Sequence, residues 1–81
     1  MFYVYAIKSH LAGRIYIGQT ENVMARIAFH NDGQVKSTDK DRPWDLIAFE
    51  EFETREAARW RERELKKSHG RRTRWIEEHR Q

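Results

Sequence analysis

The chain has 81 residues, 38% of them hydrophobic and 36% charged, with a net charge of +3, no cysteine and a mean hydropathy of −1.00. A chain of this length buries only about 60–65% of its unfolded surface, so one small domain over residues 1–81 is expected. Without cysteine there is no disulfide, no thiolate nucleophile and no cysteine-bearing zinc site. Aromatic residues make up 12% of the chain and the apolar residues fall in periodic runs, which favours a folded domain over disorder. No run approaches the ~18 apolar residues of a membrane span. The start, MFYVYAIKSH, lacks the basic region and long apolar core of a signal peptide, so a cytoplasmic protein without a membrane partner is expected.

In chain order, Phe2 to Lys8 is dense in β-forming residues, and Arg14 to Thr20 repeats the theme with Ile15, Tyr16 and Ile17. The short Ser9–Gly13 stretch between them predicts an antiparallel hairpin. Alternation puts Val4 and Ala6 on one face and Tyr3, Tyr5 and Ile7 on the other, with Ile15 and Ile17 opposed to Tyr16 and Gly18. Pairing Ile7 with Arg14 sets Tyr5 opposite Tyr16, both hydroxyls projecting from one face; a one-residue slip would separate them. Gly18 inside a strand pattern marks either a bulge or a close visitor, and beside two tyrosines that visitor could be a phosphate.

Thr20 or Asn22 can cap a helix running to about His30. Val23, Met24, Ile27 and Ala28 form its apolar stripe, and Arg26 and His30, four apart, share one margin of it. On that helix alone, an arginine snorkelling over the core beside an exposed histidine is the simpler account. Asn31 to Arg42 reads as a loop carrying Lys36 and Lys40. Pro43 opens a third strand with apolar residues in both alternation registers, the pattern of a central strand covered on both faces. Thr54 caps a second helix with Ala57, Ala58 and Leu65 as its buried stripe and Arg59, Arg63, Lys66 and Lys67 as a basic outer face. Glu62 lies at the margin of the stripe and needs a cation, Arg61 or Arg26, or else a metal. His69-Gly70 ends this helix, and Thr73 caps a last short one that turns Trp75 and Ile76 inward.

Charge is unevenly spread. From Arg55 to Arg74 nine Lys or Arg face three Glu, a net +6, so the rest of the chain is net acidic. A basic helical stretch of this kind is the electrostatic footprint of a nucleic-acid surface, with a solvated, ion-paired helix as the plain alternative. The candidate contacts are Gly18, Lys36, Arg59, Arg63, Lys66, Lys67, Arg71 and Arg72. The four histidines show no metal-ligand spacing with one another.

Tyr3-Val4-Tyr5, Tyr16-Ile17-Gly18, Arg26 with His30, and the Ala58-to-Glu62 segment together resemble the GIY-YIG nuclease family, above all its small bacterial stand-alone members. The likeness runs through the NDGQVKST loop, the RPWDLI strand and the TREAARWRERELKK helix, and extends to the GIY-YIG domain of the excision-repair incision subunit. Tyr3 stands where the family's first glycine would. The resemblance implies an α+β fold, a small three-stranded antiparallel sheet flanked by about three helices in the order β-β-α-β-α-α. It also implies an endonuclease that uses Mg²⁺ or Mn²⁺ to cleave DNA by attack of water, in repair or processing. Carried over by position, Tyr5 and Tyr16 are the paired tyrosines with Tyr5 as general base, and Arg26 stabilises charge on the phosphate. Glu62 holds the metal, and His30 assists proton transfer or hydrogen-bonds the phosphate. Larger members read DNA through an attached domain that this chain has no residues to build. Specificity is then structural, weak, or delegated to a partner protein or a dimer.

Overall fold

A computed structural model describes residues 1–81. Strands β1 (Phe2–Ser9), β2 (Ile15–Thr20) and β3 (Trp44–Phe52) alternate with helices α1 (Val23–Asn31), α2 (Arg55–Lys67) and α3 (His69–Glu78) in the order β-β-α-β-α-α. The sheet is antiparallel with strand order β2-β1-β3. No helix is long and apolar enough to cross a membrane.

β1 is central because its two faces are both apolar. Val4 and Ala6 join Ile17, Ala48, Ala58, Leu65, Trp75 and Ile76 in the main core under α2 and α3. Tyr5 and Ile7 join Trp44 in a smaller core on the α1 side, backed by Tyr16, Ile27, Leu46 and Phe49. β3 is therefore an edge strand and not the central one its two-sided hydrophobicity suggested. Part of its outer edge is covered by the chain's last residues, through an Ala48–Arg80 bridge and Gln81 N–H donating to the Ile47 carbonyl at 3.0 Å.

The pairing of β1 and β3 slips between Ala6 and Ile7, so Ala6 faces Ala48 while Ile7 faces Leu46. Ile47 is left over as a β-bulge, which inverts the alternation on its N-terminal side. Trp44 and Leu46 consequently turn toward α1, away from the face shared by Ala48 and Glu50. Strict alternation would have put all four together.

The hairpin register also differs from expectation. Ile7 pairs with Tyr16 and Tyr5 with Gly18, two residues away from an Ile7–Arg14 pairing. Ser9 N–H donates to Arg14 C=O and Gly13 N–H to Ser9 C=O, so the turn takes up residues that the expected register gave to the ladder. A shift of two preserves faces, and Tyr5 and Tyr16 remain on the same side.

Asn22 caps α1, its side chain accepting from Ala25 N–H, and Thr54 caps α2 by accepting from Ala57 N–H. Met24, Ala28 and Ala57, expected in buried stripes, are exposed, because each helix meets the sheet along a narrow line. α3 starts earlier than Thr73. Ser68 is extended (φ −131°, ψ 116°), breaks the helix and accepts from Arg71 N–H, so Gly70 lies inside α3 and Thr73 bonds back to His69 C=O.

Candidate active site

The site lies where β1, β2 and α1 meet on the face away from the main core. Tyr5 and Tyr16 sit diagonally across the hairpin with ring centroids 6.4 Å apart, and the His30 ring lies 5.8 Å from Tyr5 and 5.0 Å from Tyr16. His30 is 0% exposed, which overturns the reading of it as an exposed histidine beside a snorkelling arginine. The Tyr5 hydroxyl is hydrogen-bonded to His30 Nε2 at 2.8 Å, and His30 Nδ1 to Thr38 Oγ1 at 2.9 Å. Trp44 closes the pocket, its indole N–H donating to Thr38 C=O at 2.8 Å. A side chain on the 31–42 loop, unremarkable in the sequence, thus reaches the centre of the site.

Gly18 owes its identity to Tyr5. A Cβ at position 18 would stand 2.6 Å from the Tyr5 hydroxyl oxygen and 2.7 Å from Cζ, so the glycine makes room for the ring of its strand partner.

Burial pushes the Tyr5 hydroxyl up to about 12, against the opposing pull of Arg26, while Tyr16 and Glu62 add to the rise. Burial, and then the Arg26 cation, hold His30 below its ordinary value. Arg26 is half-buried over the Phe29 ring (5.3 Å), and its Nε has no hydrogen-bond partner. At neutral pH the site therefore holds a protonated tyrosine, a neutral histidine and an incompletely satisfied guanidinium.

Glu62 reaches the site from α2. Its charge is felt at Tyr5, and its ion-pair partner is Lys66 at 2.8 Å, whose Nζ lies 5.9 Å from the Tyr16 ring. Neither cation expected from the helical wheel fills that role. Arg61 turns to Glu50 (2.7 Å) and Glu64 (3.5 Å), and no ion pair joins Arg26 to Glu62. Glu62 opens on a wholly polar pocket of about 330 Å³ lined also by Gln19, Arg59, Arg63 and Lys66. No three His, Asp or Glu side chains gather anywhere, and Glu62 is the one carboxylate lining this pocket. A lone carboxylate on an open polar pocket fits an Mg²⁺-type ion that keeps its waters and draws on phosphate oxygens; it does not fit a closed zinc cage.

The basic residues divide. Arg59, Arg63 and Lys66 line the pocket, and Arg59, Arg63, Lys67 and Lys36 form no ion pair. Arg71 is engaged by Glu64 at 2.7 Å and Arg72 by His69 at 2.9 Å. Gln19 and Thr38 escaped the sequence reading because a polar residue at a strand end, or in a polar loop, carries no periodic signal.

A family model described as the GIY-YIG catalytic domain matches residues 1–78. A UPF0213 protein of Staphylococcus haemolyticus is 43% identical over 65 residues, covering 79% of this chain and 78% of that protein. A UPF0213 protein of Staphylococcus saprophyticus is 38% identical over 65 residues, with the same coverage. No solved structure matches the chain.

Proposed function

The chain belongs to the GIY-YIG family, a family of nuclease type, and from that premise we propose that it is a divalent-metal-dependent endonuclease acting on DNA. The observation that carries the reading is the convergence of Tyr5, Tyr16, Arg26 and His30 on one end of the hairpin, with Glu62 facing them from α2.

The proposed reaction is attack of water on a phosphodiester. The water gives a proton to the Tyr5 oxygen while Tyr5 passes its own to His30 Nε2, so Tyr5 remains neutral and His30 becomes imidazolium. A phosphorus–oxygen bond forms to the water oxygen, the scissile one breaks, and the departing oxygen takes a proton from solvent. His30 then returns its proton through Tyr5. This route suits a tyrosine held near 12, which at neutral pH would supply almost no free phenolate. Arg26 would stabilise the charge developing on the phosphate, and Tyr16 would flank the attacking water. Mg²⁺ or Mn²⁺ held by Glu62 would supply further charge neutralisation at the phosphate. Arg59, Arg63 and Lys66 would guide the strand backbone past the pocket, with specificity set by substrate shape or by a partner.

The test is incubation with labelled single-stranded, branched and duplex DNA, with and without Mg²⁺ or Mn²⁺. Glu62→Gln and Arg26→Ala are each expected to lower the rate by about 10²–10³-fold. Metal-dependent nicking that both variants retain removes this assignment. One contact favours a second reading, binding without cleavage: Lys66 Nζ holds Glu62 at 2.8 Å, so a metal must displace an ammonium to reach the carboxylate. DNA binding with no cleavage under any metal would support that alternative.

A further inference from the structure

We infer that Thr38 is a positioning residue that fixes His30 in the Nδ1–H tautomer and so leaves Nε2 free to take a proton from Tyr5. The inference rests on the proton route proposed above and names the group that sets its direction.

Two independent constraints give the chain of hydrogen bonds one polarity. At one end, Thr38 Oγ1 lies 3.2 Å from the Val35 carbonyl, which can only accept. With the single hydroxyl proton given to that carbonyl, the Thr38 oxygen accepts from His30, and the proton between them belongs to Nδ1 (2.9 Å). At the other end, the Arg26 cation acts on the Tyr5 oxygen. An O–H dipole turned toward a guanidinium is repelled, so the Tyr5 proton points away from it, into His30 Nε2 at 2.8 Å. The opposite tautomer would aim Nε2–H at Tyr5 and push the tyrosine proton toward Arg26.

Thr38 is held in place without help from His30. Its N–H donates to the Val35 carbonyl at 3.0 Å, and its own carbonyl accepts from Trp44 Nε1 at 2.8 Å. The Trp44 backbone is gripped in turn by the Asn31 side chain, N–H to Oδ1 at 2.7 Å and C=O to Nδ2 at 3.1 Å. Thr38 and His30 are both 0% exposed, so bulk water does not compete for the hydroxyl. A rigid loop therefore imposes a proton position on a residue that touches the reacting group.

Nitrogen-15 NMR of imidazole-labelled protein at neutral pH tests this, with His30 identified by its loss in His30→Asn. The expected result is a protonated Nδ1 and an unprotonated Nε2 in the wild type, and the same in Thr38→Ser. In Thr38→Val, which keeps the shape and removes the hydroxyl, the signal moves toward the Nε2–H form and cleavage falls at least tenfold, with Thr38→Ser restoring it. An Nε2–H tautomer in the wild type overturns the inference, as does a folded Thr38→Val with unchanged tautomer and rate. If Thr38→Val does not fold, the wild-type and Thr38→Ser spectra decide. The spectrum needs no cleavage, so a wild type that cuts nothing refutes the reaction while the spectrum still judges Thr38.

Discussion

Gly18→Ala is the sharpest perturbation the geometry offers. The added Cβ would meet Tyr5 Oη at 2.6 Å, Cζ at 2.7 Å and Cε1 at 3.0 Å. The end of a flexible exposed side chain would yield to such a contact cheaply. Tyr5 is a rigid ring, 1% exposed, packed with Ile7 and Trp44 and hydrogen-bonded to His30 at 2.8 Å. Restoring ordinary contact requires a shift of roughly 1 Å, which carries the hydroxyl beyond hydrogen-bonding range of Nε2 or strains the strand. Overpacking of this kind costs about 1–3 kcal/mol, and stranding the buried imidazole nitrogen adds about 1–3 kcal/mol. At ~4–8 °C per kcal/mol for a domain of this size, the melting temperature should fall by at least ~8 °C. Cleavage by the fraction that stays folded should fall about 10²-fold, because Tyr5 is displaced relative to its acceptor. The assays are a thermal melt followed by circular dichroism and single-turnover cleavage well below the midpoint. An unchanged melting temperature with an unchanged rate refutes the claim that Tyr5 fills the space a side chain at position 18 would need.

Two further outcomes follow from charge and protonation. Because His30 is held below its ordinary value and must be neutral to accept a proton, kcat/KM should be flat above about pH 6.5 and fall tenfold per pH unit below the His30 pKa; a rate climbing steadily toward pH 12 would instead indicate Tyr5 acting as a preformed phenolate. Two arginines a single residue apart should behave oppositely. Arg61→Ala removes the guanidinium from Glu50, which is left with Trp75 Nε1 at 2.8 Å and His79 Nε2 at 3.7 Å, and should cost ~1–3 kcal/mol in denaturant unfolding. Arg59→Ala should leave stability within ~0.5 kcal/mol yet reduce the slope of log affinity against log salt by about 0.9; a large stability loss would contradict its place on the open pocket.

What the sequence revealed was set by short-range periodicity. The facing of Val4 and Ala6 against Tyr5 and Ile7 is dictated by a period of two, and it survives a two-residue error in register because such a slip preserves faces. The caps at Asn22 and Thr54 are local and equally readable. Long-range facts were not. The bulge at Ile47 depends on how β3 meets β1, and it alone sends Trp44 and Leu46 to the α1 side. Arg61, viewed on its own helix, is an equal candidate partner for Glu62, and only the sheet supplies Glu50 to claim it. Gly18 signals that something comes close, but identifying Tyr5 requires the register. His30 looks marginal on a helical wheel, and becomes fully buried only once the 31–42 loop folds over it with Thr38 and Trp44.

The two faces of the sheet divide the work of this small chain. The face under α2 and α3 gathers eight buried residues, none of which carries a titratable side chain. The α1 face has only three buried hydrophobic side chains, Tyr5, Ile7 and Trp44, beside the buried His30 and Thr38, and two of the three belong to the hydrogen-bonded chain around His30. Desolvation on this thinner face raises Tyr5 and lowers His30, so the packing that fixes their geometry also fixes their protonation states at neutral pH. Loosening that packing would therefore move the tyrosine hydroxyl and both pKa values together. Placing the apolar core on the opposite face lets β1 remain anchored by Val4 and Ala6 while Tyr5, between them in sequence, stays committed to His30. Alternation along a single central strand is what allows adjacent residues to serve the main core and the hydrogen-bonded chain of His30 separately.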